Sequence, residues 1–446
     1  MRDLINRNRR SEAVGIFSVC SADPWVLGAA MRQALEDGSY LCVESTSNQV
    51  NQLGGYTGLT AVQFATFIYS LAQKVGLEKH RILLGGDHLG PYPWRHLHSQ
   101  KAMDRACELV RDCVLAGYTK IHLDASMACA DDPVGPLDEC VVARRAALLC
   151  QTAESARVEL GTDFGALLYV IGTEVPTPGG EQSNGPAPLV TEVADVQQTL
   201  EIARRSFLEC GLEDAWQRVI GLVVQPGVEF GDATVFDYDR VKAQFLSQHL
   251  PTSPALVYEA HSTDYQLASA LRRMVEDHFA ILKVGPWLTF SFREAVFALS
   301  EIEREWLGAR RSVQLSRVRD ALERAMLSNP SHWKAYYSGD DAELQFARRF
   351  SFSDRCRYYW PDGLVQRELK QLLTNLGTAS IPLTLLSQFM PMQYERVRAG
   401  RIPASCDSLI DDNIRRILKM YAAACGSNNG SVDSASQGEM RITSGH

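Results

Sequence analysis

Apolar and polar positions alternate between two periods along most of the chain. Short runs rich in β-branched residues are followed by longer stretches with apolar positions three and four apart, the marks of strand and amphipathic helix. The spacing predicts strands over Ala13–Val19, Tyr40–Glu44, Arg81–Leu84, Thr119–Leu123, Leu167–Gly172, Val219–Val224, Ala255–Tyr258 and Phe279–Val284. Between them it predicts helices, for example from Asp23-Pro24 to Glu36, Thr60 to Lys74, Ser99 to Gly117, Leu137 to Val158 and Asp195 to Cys210. An acid before Pro and a Gly after the last apolar turn are sound start and stop signals. A helix over Leu288–Trp306 closes the series.

Eight strand–helix units within residues 1–310 predict a TIM (β/α)8 barrel, whose chemistry sits on the loops after the strands. A doubly wound open sheet shares the same rhythm. Beyond Gly308 the strand rhythm ends. Helical segments over Val313–Leu327, Leu364–Leu376 and Cys406–Ala424, with an aromatic stretch from Arg348 to Pro361, predict a helical extension over 311–425 packed on the barrel. Residues 426–446 are rich in Ser, Asn and Gly, a composition that predicts disorder.

Composition narrows the classes. The 446 residues are 46% hydrophobic and 22% charged, with a net charge of −8. An acidic balance argues against a nucleic-acid binder, which needs a basic footprint. No apolar run is long enough for a membrane span, and the polar, Arg-rich start has no signal-peptide core. The 11 cysteines are scattered without a Cys-x-x-Cys pair. Buried thiols in a reducing cytoplasm fit that better than a disulfide or zinc-ribbon frame.

The candidate chemistry lies at the strand ends: Glu44, Asp87, His88, Asp124, Glu174, Gln225, His261 and Lys283. Alternation sends Asp87 and His88 to opposite sides, so one can hold a metal while the other faces a substrate. His88, His261 and one carboxylate such as Glu174 would make a divalent-metal site, leaving a position open for a ligand. His122 lies mid-strand and reads as a core or supporting histidine. No phosphate-binding Gly-x-x-x-x-Gly-Lys-Ser/Thr, kinase signature or Gly-x-Ser-x-Gly elbow occurs, so no nucleotide cofactor is expected.

Seven stretches carry a resemblance: Glu44–Gly58, Leu84–Pro91, Lys120–Met127, Ile171–Pro176, Val224–Phe230, Glu259–Gln266 and Ser353–Pro361. Together they resemble the D-tagatose-1,6-bisphosphate aldolase subunits of GatZ and KbaZ type, some of whose members carry the label tagatose-6-phosphate kinase. The resemblance implies a cytoplasmic TIM barrel that supports a separate class II aldolase chain in galactitol, N-acetylgalactosamine or tagatose catabolism. Other relatives are metal-dependent ketose or ketose-phosphate 4-epimerases.

A more distant likeness to class II aldolases implies roles. Asp87, Asp124 and Glu174 would move protons. His88, His261 and Glu174, with Gln225 assisting, would hold zinc or manganese; aldolases carry a histidine where Gln225 stands. Asn48, Gln49, Ser262, Thr263, Gly285 and Arg355, with Arg357 beside it, would contact a ketose or its phosphate. Partners implied are the sugar, an aldolase catalytic subunit and further copies of the chain. Two functions follow: a supporting subunit, or a stand-alone 4-epimerase working by retro-aldol and aldol steps. A kinase has no motif behind it.

Overall fold

In a computed structural model, which describes residues 1–161, 165–172, 188–377 and 380–427, eight parallel strands close into a barrel. They are β1 (Ile16–Val19), β2 (Leu41–Thr46), β3 (Ile82–Leu89), β4 (Lys120–Leu123), β5 (Leu168–Ile171), β6 (Val219–Val224), β9 (Val257–Ala260) and β10 (Phe279–Val284). A small antiparallel hairpin, β7 (Glu229–Phe230) and β8 (Val235–Phe236), lies after β6. The barrel closes where β1 pairs with β10, Ile16 opposite Ile281 and Val19 opposite Val284. This is the predicted (β/α)8 architecture. The hairpin is an addition that two-residue strands are too short to announce.

The helices start as their caps dictate. Asp23 accepts the amides of Trp25 and Val26 at 2.9 and 3.1 Å, opening the helix Pro24–Asp37. Thr60 and Gln63 form a reciprocal capping box at the start of Ala61–Val75.

The barrel interior has two halves of opposite character. One half is aliphatic: Ile16, Cys42, Val170, Ile220, Val257 and Ile281 pack together, joined by Ile5. Ile5 comes from an N-terminal helix, Arg2–Arg9, which the polar composition of that stretch concealed. The other half, towards the carboxyl ends of the strands, carries the buried charges Glu44, Asp87, Lys120, Glu259 and Lys283.

The helix after β10 forms over Pro286–Leu307, close to its expected span, but it does not complete the ring of helices around the barrel. The helix Cys406–Ala424 takes that place. It packs between Pro24–Asp37 and Ala268–Glu276, touches β1, and carries Pro286–Leu307 on its other side. Its Ile410, Ile414, Ile417, Leu418 and Tyr421 are wholly buried, and Asn413 donates to the Ser291 carbonyl at 2.7 Å. The remaining helices of the extension include Val318–Ser328 and Gly363–Leu376, close to expectation, and Asp341–Phe350, Leu383–Phe389 and Pro391–Arg398 in addition. The tail expected to be disordered lies outside the described residues from 428 onward.

Leu418→Ala is therefore expected to cost about 2–5 kcal/mol, as for a fully buried leucine. The exposed Val241→Ala should stay within about 0.5 kcal/mol. Urea unfolding of both variants checks this; equal small effects would show that the last helix is not part of the barrel's core.

Candidate functional site

Strand β3 is the centre of the site. Its pairing with β4 runs Gly86 opposite Ile121 and then Leu89 opposite Leu123, so β3 carries one extra residue in that interval. Such a bulge breaks the alternation of side chains. His88 takes a left-handed φ of 48°, and Asp87 and His88 both line one cavity of about 520 Å³. This corrects the expectation that the pair splits to opposite sides. Two glycines make the arrangement possible. A Cβ on Gly85 would sit 3.0 Å from Glu44, and one on Gly90 would lie 1.6 Å from the Asp124 carbonyl oxygen.

Asp87, His88, His122 and His261 bring one donor atom each within 4.8 Å of one another. Each ring is held from behind. His88 Nδ1 lies 2.7 Å from Asp124 Oδ2, which turns Nε2 towards the cluster. His261 Nε2 lies 3.0 Å from Glu259 Oε1, leaving Nδ1. His122 Nε2 lies 3.0 Å from the Gly172 carbonyl, an acceptor only, so Nε2 carries the proton. Carboxylates and carbonyls behind imidazoles set tautomer and orientation at metal sites.

His122 Nδ1 accepts the His88 backbone amide at 3.1 Å and lies 3.0 Å from Asp87 Oδ1, so this ring braces the turn of β3 from behind. Two imidazoles, His88 and His261, with a carboxylate beside them suit zinc and leave a position open, and the same nitrogen–oxygen set accepts manganese. The residues present therefore fit a divalent ion.

Electrostatics favour the ligand forms. Burial pushes Asp87 up, but His88, His122 and His261 together hold it well below the usual carboxylate range. Burial likewise raises Asp124, and its hydrogen bond and charge contact with His88 overcome that. Burial lowers His261 below its ordinary value against the opposing pull of Glu259, which keeps the ring neutral at pH 7.

Under the cluster lies a fully buried ion network. Lys120 Nζ is 2.5 Å from Glu44 Oε1 and 2.6 Å from Glu259 Oε2. Lys283 Nζ contacts Glu44 and lies 2.8 Å from Asp87 Oδ1. Burial pulls Lys283 below its ordinary pKa against the opposing pull of Cys20 and Cys42, and the Glu44 and Asp87 carboxylates stand at ion-pair distance from its nitrogen. Glu259 was expected just past its strand; it lies within β9 and points into the barrel.

The other expected residues divide. Asn48, Gln49, Ser262, Gly285, Arg355 and Arg357 line the cavity. Gly285, however, gives its amide to Asp264 Oδ1 at 3.0 Å. Thr263 is buried away from the cavity lining; its hydroxyl lies 2.6 Å from the Lys283 carbonyl and 3.0 Å from the Tyr421 hydroxyl. Gln225 Oε1 accepts the amides of Gly227 and Val228 at 2.7 and 2.9 Å, so that oxygen is committed to its own turn. Glu174 and the loop that follows it lie outside the described residues.

Two residues escaped the sequence reading. His122 joins the cluster itself; the signal was Lys120, His122 and Asp124 sharing one parity, which on a barrel strand means one side. Asp264 lines the cavity three positions after His261. Its carboxylate accepts the amides of Gly285 and Trp287 at 3.0 and 2.8 Å. Burial pushes it up to about 6 against those amides.

The mouth of the cavity is basic and aromatic. Arg95 comes from the loop after β3, and Arg355 and Arg357 come from the extension. Arg355 is fixed by the His332 carbonyl and lies over the Tyr336 ring; Arg357 donates to the Tyr358 hydroxyl at 2.8 Å.

Comparison with known proteins shows the family. The family described as D-tagatose-1,6-bisphosphate aldolase subunit GatZ/KbaZ-like matches residues 1–426. The chain belongs to the GatZ/KbaZ-like family. It is 47% identical over 425 residues to the D-tagatose-1,6-bisphosphate aldolase subunit GatZ of Salmonella agona strain SL483, covering 95% of this chain and 99% of that one. The Salmonella heidelberg strain SL476 subunit gives the same figures. Among solved structures, a probable tagatose 6 phosphate kinase from Sinorhizobium meliloti 1021 is 41% identical with a TM-score of 0.84, covering 92% of this chain and all of that one. In this GatZ/KbaZ-like chain the bulged strand, His88, His261 and the extension's arginines thus meet in one cavity, with His122 buried behind it.

Asp264 gives a pH test. Its folded pKa of about 6 lies above the ordinary 3.8, so the folded state keeps a proton that the unfolded chain has lost. The associated stability is fully present below the ordinary value and is lost as pH rises through about 6. Asp264→Asn, which keeps an acceptor oxygen for the two amides, should gain on the wild type between those limits by about 3 kcal/mol. Urea titrations of both proteins at successive pH values would read it; a pH-independent difference would contradict it.

Proposed function

We propose that this chain acts on, or holds, a ketose phosphate as the GatZ/KbaZ-type subunit beside a class II aldolase chain, in galactitol, N-acetylgalactosamine or tagatose catabolism in the cytoplasm. The family membership over residues 1–426 carries this reading. Among the described residues no helix is long and apolar enough to cross a membrane. Arg95, Arg355 and Arg357 at the cavity mouth suit a phosphate, since guanidinium groups bind phosphate oxygens in pairs.

A second reading is favoured by the Asp87–His88–His122–His261 cluster: a stand-alone metal-dependent ketose or ketose-phosphate 4-epimerase. His88 and His261, with Glu174 as the carboxylate, would hold a divalent ion, zinc or manganese, with Asp87 beside it. Bound there, the ion supplies Lewis-acid polarisation of a ketose carbonyl and charge stabilisation for an enediolate. Asp87 takes the C4 hydroxyl proton, the C3–C4 bond breaks, and its electron pair passes to the three-carbon fragment. C4 becomes an aldehyde. Re-forming the bond on the other aldehyde face, with the proton returned to the C4 oxygen, gives the epimer. Asp124 holds the His88 ring in place, and Glu174 remains a candidate proton carrier. The kinase label of the Sinorhizobium protein finds no phosphate-binding nucleotide motif in this sequence.

The chain purified alone, with zinc or manganese, should be assayed for aldol cleavage and 4-epimerisation of tagatose and fructose, free and phosphorylated. Turnover by the chain alone that disappears in His88→Ala establishes the epimerase. No turnover with either metal, together with rescue of a separate aldolase chain, establishes the supporting subunit. Arg357→Gln should raise KM, or Kd for a non-catalytic chain, about 10- to 100-fold for the phosphorylated ketose only, the loss of one charged hydrogen-bond pair. An equal loss for free sugar would remove the phosphate assignment.

A further inference from the structure

Beside the histidine cluster lies a second group of metal-type donors. Cys20, Glu44 and Asp87 bring one donor atom each within 4.8 Å of one another, and Asp87 belongs to both groups. A thiol and two carboxylates, two of them wholly enclosed in the barrel, make a cation pocket in their own right. In two-metal sites the ions stand about 3.5–4 Å apart, a spacing that two donor groups sharing one carboxylate could in principle serve.

This pocket is filled from within. Lys283, on β10, sends its ammonium group into it. Nζ contacts Glu44, lies 2.8 Å from Asp87 Oδ1 and 3.7 Å from Glu259 Oε1. The Lys283 side chain is only 6% exposed, and its nitrogen is also within reach of the Cys20 thiol. Asp87 Oδ1 thereby meets both Lys283 and His122, while Oδ2 lies 3.8 Å from Cys20 Sγ.

We infer that the Lys283 ammonium is a built-in second cation: it fills the Cys20–Glu44–Asp87 pocket, restricts the site to one divalent ion, and positions the carboxylate of Asp87 between that ion and itself. The inference deepens the metal reading proposed above and rests on it. Lys283 acts through Asp87, so it is a positioning residue. A tethered ammonium cannot exchange or be chelated. It supplies one positive charge where a second metal would supply two, so the pocket stays electrically balanced against Glu44 and Glu259, which Lys120 also serves.

The test is a metal count on the full chain equilibrated with excess zinc or manganese, desalted, and read by elemental analysis and native mass spectrometry. The wild type should hold one ion per chain, even at raised metal concentration. Lys283→Ala should hold two, and Lys283→Ala combined with Glu44→Gln should return to one. Lys283→Ala should also bind its first ion about 10–100-fold more weakly at low metal concentration, as when a group behind a ligand is lost. Ammonium chloride should restore that affinity, and the larger tetramethylammonium chloride should not.

One ion in a folded Lys283→Ala, with no response to ammonium, overturns the inference and leaves the metal reading intact. No ion in the wild type overturns the metal reading itself. Two ions in the wild type overturn the inference without any variant, and Lys283→Met, which keeps the bulk of the stem without the charge, serves where Lys283→Ala does not fold: one ion in it overturns the inference as well.

Discussion

Five ionised groups are enclosed in the upper half of a barrel that could have been filled with aliphatic side chains. Glu44, Lys120, Glu259, Lys283 and Asp87 are joined through direct carboxylate–ammonium contacts. Removing any one leaves its neighbours as uncompensated buried charges, which costs far more than the intact set contributes to stability. The network therefore does not exist for stability. It fixes the positions of the groups directly above it: Glu259 orients His261, and Lys283 anchors Asp87. The glycine at position 85 and the aliphatic lower half, sealed by Ile5, are the accommodations the fold makes for it.

The same logic explains the division of labour between barrel and extension. The barrel supplies acids, imidazoles and lysines, all held by short connections to strand ends. The extension supplies arginines and tyrosines at the mouth, fixed to one another by Arg–Tyr and aromatic contacts. A substrate with a reactive carbonyl at one end and an anionic group at the other matches that polarity. Asp264, at the start of the helix Pro286–Leu307, stands between the two sets as a carboxyl group that burial leaves close to neutral-range titration.

Much of the fold was legible because period-2 and period-3.6 patterns survive wherever one face is buried. Seven of the eight barrel strands lie within a few residues of their expected spans; β3 runs on to Leu89, five residues past its expected end, and so takes in Asp87 and His88. What the pattern could not carry was anything decided by pairing. The bulge in β3 depends on register with β4, so Asp87 and His88 read as an alternating pair. His122 read as core because a lone histidine in an apolar run says nothing about what stands opposite. The Gln225 side-chain oxygen is claimed by local amides, a choice no spacing reveals. Position at the strand ends picked out Asp87, His88 and His261, and family resemblance gave them roles; the pairing of strands and loops was needed to add His122 and Asp264.

The order of elements around the ring has a temporal consequence. The helix that completes it, Cys406–Ala424, is among the last described segments of the chain, far downstream of β10. At about 5–20 residues per second, on the order of ten seconds of translation separate the last strand from the helix that covers it. During that interval the β1–β10 seam, where the barrel closes, is bare on its outer side. A nascent chain thus carries a nearly complete barrel with one open apolar flank until that helix has been made.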